Sequence, residues 1–129
     1  MRLLLDSHIF LAVQAEGSVE LDGNMRVAIS KALPNVFVST ASLWEIAIKY
    51  RSRRLKLQQR LEELPTICDT LSLQILAIEW RHVLCELDSV PTTKDPFDRL
   101  LLAQAQVEDM RLMTIDRALN DHPLAWRAK

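Results

Sequence analysis

Four acidic residues, Asp6, Glu45, Asp98 and Asp116, lie far apart in the chain but occupy similar kinds of position. Asp6 ends the apolar run from Arg2 to Leu5, and Asp116 comes just after Leu112-Met113-Thr114, so both follow candidate strands. Glu45 lies about one and a half turns into a candidate helix, and Asp98 lies in the first turn of another. If the strands are parallel, all four fall near the carboxyl edge of one sheet, where such folds place their ligands. Two like charges ~4 Å apart repel by roughly 4 kcal/mol at an effective dielectric of ~20. Several carboxylates in one cleft therefore take up protons or require a cation. Hard oxygen donors suit Mg²⁺ or Mn²⁺, and the chain lacks the Cys/His set that zinc prefers. A divalent ion held by carboxylates can activate water and stabilise charge on a phosphodiester under attack, which is hydrolytic nuclease chemistry.

Each acid also has a local use. Asp95 before Pro96 reads as a helix N-cap with proline at the first helical position. Asp98 in that first turn would favour the helix dipole by ~0.3–1 kcal/mol. Glu45 can pair with Lys49 at i+4, and Asp116 can cap a short helix over 117–120. Spacing alone leaves both readings open.

The elements that would carry these residues alternate. Arg2 to Leu5 suits a buried strand, and residues 7–16 a helix ended near Gly17. A helix over 21–33 stops at Pro34-Asn35, and Val36-Phe37-Val38 reads as a second strand. STASLWEIAIKYRSR forms a helix capped by Ser39 or Thr40. A helix near 58–71 follows, with Pro65 breaking it or starting a new turn. Leu73 to Ile78 is the third strand, 79–87 a helix, and the Pro91 region a loop. The helix from Asp95 to about Asp109 leads to a fourth strand at Leu112–Thr114, and Leu124–Trp126 adds a short final one. Strands alternating with helices predict a parallel sheet covered on both faces.

At 129 residues the chain suits a single domain, 1–129, able to bury a core. With 49% apolar residues, 26% charged and two glycines, it is globular rather than disordered or fibrous. A net charge of −1 gives no bulk attraction for nucleic acid, so any such contact needs a local basic patch. Cys68 and Cys85 form neither a disulfide framework nor a zinc site and fit a reducing cytoplasm. No run approaches a membrane helix, and Asp6 and His8 interrupt the apolar start that a secretion signal needs. The expectation is a soluble intracellular protein.

LLLDSHIFLA, STASLWEIAIK, DPFDRLLLAQA and LMTID, in this order, resemble the PIN-domain ribonucleases, specifically VapC-type toxins of toxin–antitoxin pairs. The resemblance spans residues 3 to about 116. It implies an α/β fold, a three-layer α/β/α sandwich with a short, mainly parallel sheet. It also implies an acidic site binding Mg²⁺ or Mn²⁺, with Asp6, Glu45, Asp98 and Asp116 as the acids and Ser7 and Thr114 as the hydroxyls beside them. On this reading Asp98 is the ligand, while Asp95 is the cap and a supporting group. A VapB-type antitoxin whose C-terminal segment fills the acidic groove is implied as a partner, together with a toxin homodimer. Phe10, Leu11 and Ile29, taken as exposed, are candidates for either interface. Three positions depart from the pattern: Ser7 replaces a threonine but keeps the hydroxyl, and Thr93 stands where close relatives often have histidine. Arg53 stands where a glycine usually ends the helix. Left-handed backbone is awkward for arginine, so a helix that runs on or a different loop is expected there.

The resulting expectation is an endoribonuclease acting on tRNA or another structured RNA. Lys94 and Arg99 flank Asp98 and can hold phosphates. Lys49, Arg51, Arg53, Arg54 and Lys56 can track them further, or can simply favour a helix C-terminus. No histidine is needed as a base. His8 is expected opposite Ser7 on an extended segment, and His82 and His122 at the surface or core edge without partners. Two rivals differ in class: a PIN fold that binds without catalysis, and a receiver-type phosphotransfer domain. The latter needs an aspartate after the middle strand, where this chain has Ile78-Glu79.

Overall fold

Three consecutive leucines leave no polar face to solvate. Leu3–Leu5 form strand β1, buried on both sides, in a computed structural model that describes residues 1–14 and 21–128. An all-apolar strand of this kind belongs in a parallel sheet covered on both faces. Val36–Ser39 (β2), Gln74–Leu76 (β3) and Arg111–Met113 (β4) complete a sheet of order β3-β2-β1-β4, with every pairing parallel. On the free side of β4, Ala125 adds one parallel bridge to Leu112, which is all that forms of the expected final strand.

Strand alternation divides the core into two layers. Leu3, Leu5, Val36 and Val38 meet Ile9 and Phe10 of α1 (Ser7–Gln14) and Ile29 of α2 (Gly23–Ala32). The same layer takes Ile46 of α3 (Thr40–Arg51) and Leu64 and Cys68 of α4 (Leu64–Thr70). Leu4, Phe37 and Leu112 face the other way, against Leu101, Leu102 and Ala105 of α6 (Pro96–Glu108). Each fully buried leucine contributes about 1.5–3 kcal/mol, so the strand that positions Asp6 is firmly anchored. The three-layer α/β/α sandwich is the architecture expected. A short helix α5 (Trp80–Val83) packs beside α6.

Several boundaries differ from the expectations. Residues 58–60 are not helical; a single 3-10 turn at Leu61–Glu63 precedes α4, and Pro65 sits in the first turn of that new helix. The end of the first helix near Gly17 lies outside the described residues. The segment 117–121 makes turns rather than a helix. Helix α3 stops at Arg51, and Arg53 itself takes the left-handed conformation, φ 62°. Its N–H donates to the Tyr50 carbonyl, and that of Arg54 to Lys49, which satisfies the last carbonyls of α3 in a Schellman arrangement. The chain thus keeps the turn a glycine would make, with arginine bearing the strain.

The apolar residues proposed for interfaces are also corrected. Phe10 is wholly buried and Ile29 nearly so, because both lie under the sheet; Leu11 is half-buried against the same core. His8 sits on α1 rather than on an extended segment, and it is exposed.

Candidate active site

Topology places the site before any side chain is considered. The chain steps from β1 outward to β2 and β3, then crosses through α5 and α6 to β4 on the other side of β1. The crevice at this reversal, outside the carboxyl ends of β1 and β4, is where open parallel sheets bind ligands. Asp6 is the first residue past β1, and its N–H donates to the Met113 carbonyl of β4 at 3.1 Å. Register therefore sets it beside Thr114, the first residue past β4.

Asp6 is buried, and its carboxylate accepts from the Ile9 N–H at 2.8 Å, at the start of α1. Burial pushes this carboxyl above its ordinary 3.8. Hydrogen bonds from Thr114 and Ile9 and the charge of His8 oppose the rise, while Glu45 adds to it. Ser7, buried beside Asp6, donates its hydroxyl to Glu45 Oε1 at 2.7 Å. Glu45 reaches the crevice from α3, whose start is fixed by Ser39: the serine hydroxyl at the end of β2 accepts from the Ala41 N–H at 3.0 Å. The other Glu45 oxygen pairs with Lys49 Nζ at 3.4 Å, so the i+4 ion pair and the place at the crevice occur together.

Helix α6 supplies Asp98. Asp95 caps this helix by accepting from the Phe97 N–H at 2.8 Å, and Pro96 holds the first turn. Thr93 fastens the approach: its hydroxyl reaches Asp98 Oδ2 at 3.3 Å and accepts from the Asp95 N–H at 3.1 Å, while its carbonyl accepts from Arg99 Nε at 2.9 Å. The Asp98 carboxyl is raised to about 6, first by burial and then by the charges of Asp95 and Asp116, with a smaller push from Glu45. Asp116 is held by two turns: its N–H donates to Thr114 Oγ1 at 3.0 Å, and its Oδ1 accepts from the Ala118 N–H at 2.9 Å.

Asp6, Glu45, Asp98 and Asp116 are thus brought to one edge and act on one another electrostatically. Their oxygens are not packed as tightly as the trio described below, in which all ligand atoms lie within 4.8 Å of one another. A divalent ion held by one or two carboxylates and otherwise by water suits this spacing, as is usual for Mg²⁺. The donor set is hard oxygen throughout, and a cation there would relieve the repulsion that raises Asp98.

Lys49 pairs with Glu45, and Arg99, next to Asp98 in the chain, donates to the Thr93 carbonyl; Lys94 directly precedes the Asp95 cap in the chain. Arg53 and Arg54 follow the far end of α3, about 9 Å or more along the helix from Glu45. Two features were not foreseen. His82 is fully buried, with Glu79 N–H donating to Nδ1 at 3.0 Å, so Nε2 carries the proton given to Glu108 Oε2 at 2.7 Å. Glu79, His82 and Glu108 form the trio within 4.8 Å. Both ring nitrogens are engaged and Arg81 pairs with Glu79 at 3.0 Å, so the trio is a latch between α5 and the end of α6. His122 is likewise buried, its Nε2 meeting the Ser89 carbonyl at 2.7 Å. The expectation of histidines at the surface or core edge fails in its claim that they lack partners, because the partners lie 26 and 33 residues away and no local pattern announces them. The second unforeseen feature is Trp44, whose only signal is its place next to Glu45.

A family model described as the PIN domain matches residues 3–123, and the chain belongs to that family. A solved structure described as a toxin-antitoxin complex from Klebsiella pneumoniae shares the fold, with a TM-score of 0.62 and 18% sequence identity over 98% of each chain. No curated protein matches the sequence. Among the described residues, no helix is long and apolar enough to cross a membrane.

Proposed function

We propose that this PIN-domain chain is a Mg²⁺-dependent endoribonuclease, with Mn²⁺ as an alternative ion, and the cytoplasmic toxin of a VapBC-type toxin–antitoxin pair. The observation that carries the reading is the meeting of Asp6, Glu45, Asp98 and Asp116 at the switch point of the sheet, where burial and mutual repulsion raise Asp6 and Asp98. Asp6, Asp98, Asp116 and Glu45 would hold the ion, directly or through water. Bound there, it supplies Lewis acidity for activating water and counter-charge for the phosphodiester.

The chain's own residues do the positioning. Thr114 orients Asp6, Ser7 orients Glu45, and the Asp95 cap with Thr93 fixes the first turn of α6 and so aims Asp98. Lys94 and Arg99 lie near Asp98 in the chain and would take flanking phosphates of the RNA, with Lys49 shared between Glu45 and substrate.

A VapB-type antitoxin is the proposed partner. Its C-terminal segment would enter the acidic crevice and place a basic side chain among the carboxylates. With Phe10 and Ile29 committed to the core, the exposed Trp80, Val83 and Leu84 around α5 offer apolar surface for a homodimer. Incubation of tRNA with the protein in Mg²⁺ and in EDTA tests the reading. Cleavage in Mg²⁺ alone is expected, and equal cleavage in EDTA would refute the metal role. A chain that binds neither ion by calorimetry and cuts no RNA would be a non-catalytic PIN-fold binding module.

A further inference from the structure

Trp44 is a large aromatic residue next to Glu45 in the chain, and neither core layer uses it. It lies on α3 immediately before Glu45, yet 60% of it is exposed. Its ring meets Phe97 edge to face, centroids 5.5 Å apart and planes at 68°. Phe97 in turn sits immediately before Asp98. With 60% of the residue exposed and Phe97 meeting it edge to face, the indole keeps a surface open to solvent. A half-buried neighbour anchored by α6 thus fixes an exposed indole between the elements that deliver Glu45 and Asp98.

We propose that Trp44 is a stacking platform for an unpaired nucleobase of the RNA, adjacent to the phosphodiester that is cut; the inference rests on the endoribonuclease reading above. With a net charge of −1 and four acids in the crevice, the protein gains little from bulk electrostatics when it binds a polyanion. Base–aromatic stacking is attractive without positive charge and independent of base identity. It also selects strandedness, because a base inside a duplex has both faces already covered.

The test compares Trp44→Ala, Trp44→Phe and Trp44→Leu, all at an exposed position where folding is readily checked by circular dichroism. Affinity for a short fluorescein-labelled single-stranded RNA of mixed sequence is measured by anisotropy in an Asp98→Asn background. KM and kcat for cleavage are measured with Asp98 intact. Loss of one stacked base weakens binding about 5- to 150-fold, so Trp44→Ala raises KM by a similar factor while Trp44→Phe restores most of the affinity. Trp44→Leu, with apolar bulk but no π-face, behaves like Trp44→Ala, and the duplex of the same RNA binds weakly to every form. Equal behaviour of the Phe and Leu variants, or a KM unchanged by Trp44→Ala in an enzyme that cuts RNA, would overturn the platform and leave the ribonuclease reading standing. So would loss of antitoxin binding in Trp44→Ala with RNA affinity unchanged, which would assign the indole to a protein interface. A protein with Trp44 and Asp98 intact that neither binds nor cuts RNA would remove both readings together.

Discussion

Asp98→Asn is expected to abolish function while making the metal-free protein more stable. The Asp98 carboxyl titrates at about 6 in the folded chain, against an ordinary 3.8, because burial and the charges of Asp95 and Asp116 disfavour its ionised form. A folded pKa above the unfolded one means the native state binds the proton more tightly. That contribution to stability is fully present below 3.8 and is lost as pH rises through about 6. The rise corresponds to at most about 3 kcal/mol, and solvent screening of a half-buried group reduces it to about 1–2 kcal/mol. Asparagine keeps the acceptor that meets the Thr93 hydroxyl at 3.3 Å and removes the charge. In EDTA at pH 7.5, Asp98→Asn should therefore melt about 3–6 °C higher for each kcal/mol gained. At about pH 3, below the unfolded value of 3.8, the two proteins should melt together. Adding Mg²⁺ at ten times its Kd should raise the unsubstituted protein by about 1.4 kcal/mol and the variant by much less. The assay is urea or thermal denaturation followed by circular dichroism at both pH values, with and without Mg²⁺. An Asp98→Asn variant less stable than its parent in EDTA at pH 7.5 would refute the reasoning, because the carboxylate would then be a net stabilising group.

Other substitutions separate structural roles from chemical ones. Asp95→Asn should leave the urea midpoint within a few tenths of a kcal/mol, whereas Asp95→Ala, which loses the bond to Phe97 N–H, should cost ~1 kcal/mol. Arg53→Gly should stabilise the protein by about 1 kcal/mol, since φ of 62° penalises any side chain with a Cβ; an unchanged melting temperature would count against strain at that turn. His82→Ala should cost about 2–4 kcal/mol by leaving Glu108 and the Glu79 N–H without their partner and opening a cavity. That variant's cleavage rate, measured below its own melting temperature, should stay close to the parent's because the latch lies at the far end of α6 from Asp98.

Local chemistry made some of this structure readable from sequence. Three leucines followed by aspartate suit a buried strand that ends at a polar edge, and Asp95-Pro96 starts a helix at the residue expected. Ser39 likewise caps α3. The fold class followed from alternation of such elements. Burial was less readable, because an apolar stripe does not say what covers it: Phe10 and Ile29 suited an interface as well as a core until the sheet lay against them. His82 and His122 were misplaced for the converse reason, since a polar residue enters the core only with partners that arrive from distant elements. The turns after Asp116 and the non-helical stretch at 58–60 fall where propensity is weak and packing decides. At the crevice, each acid had an adequate local role, and Asp95 as cap and Glu45 as ion-pair partner do play theirs. What sequence spacing could not supply was the strand order that sets β4 beside β1 and brings Asp116 and Thr114 against Asp6.

The division of labour within Asp95-Pro96-Phe97-Asp98 gives the most direct test of the catalytic account. Initial rates of tRNA cleavage in Mg²⁺ should be measured for the parent chain, Asp95→Asn and Asp98→Asn at matched folded concentration. The account predicts that Asp95→Asn keeps a rate within a few-fold of the parent, because the cap survives. It predicts that Asp98→Asn loses at least about a hundredfold, the scale on which removing one electrostatic group at a reacting centre acts. Equal losses in the two variants, or a fully active Asp98→Asn, would contradict it.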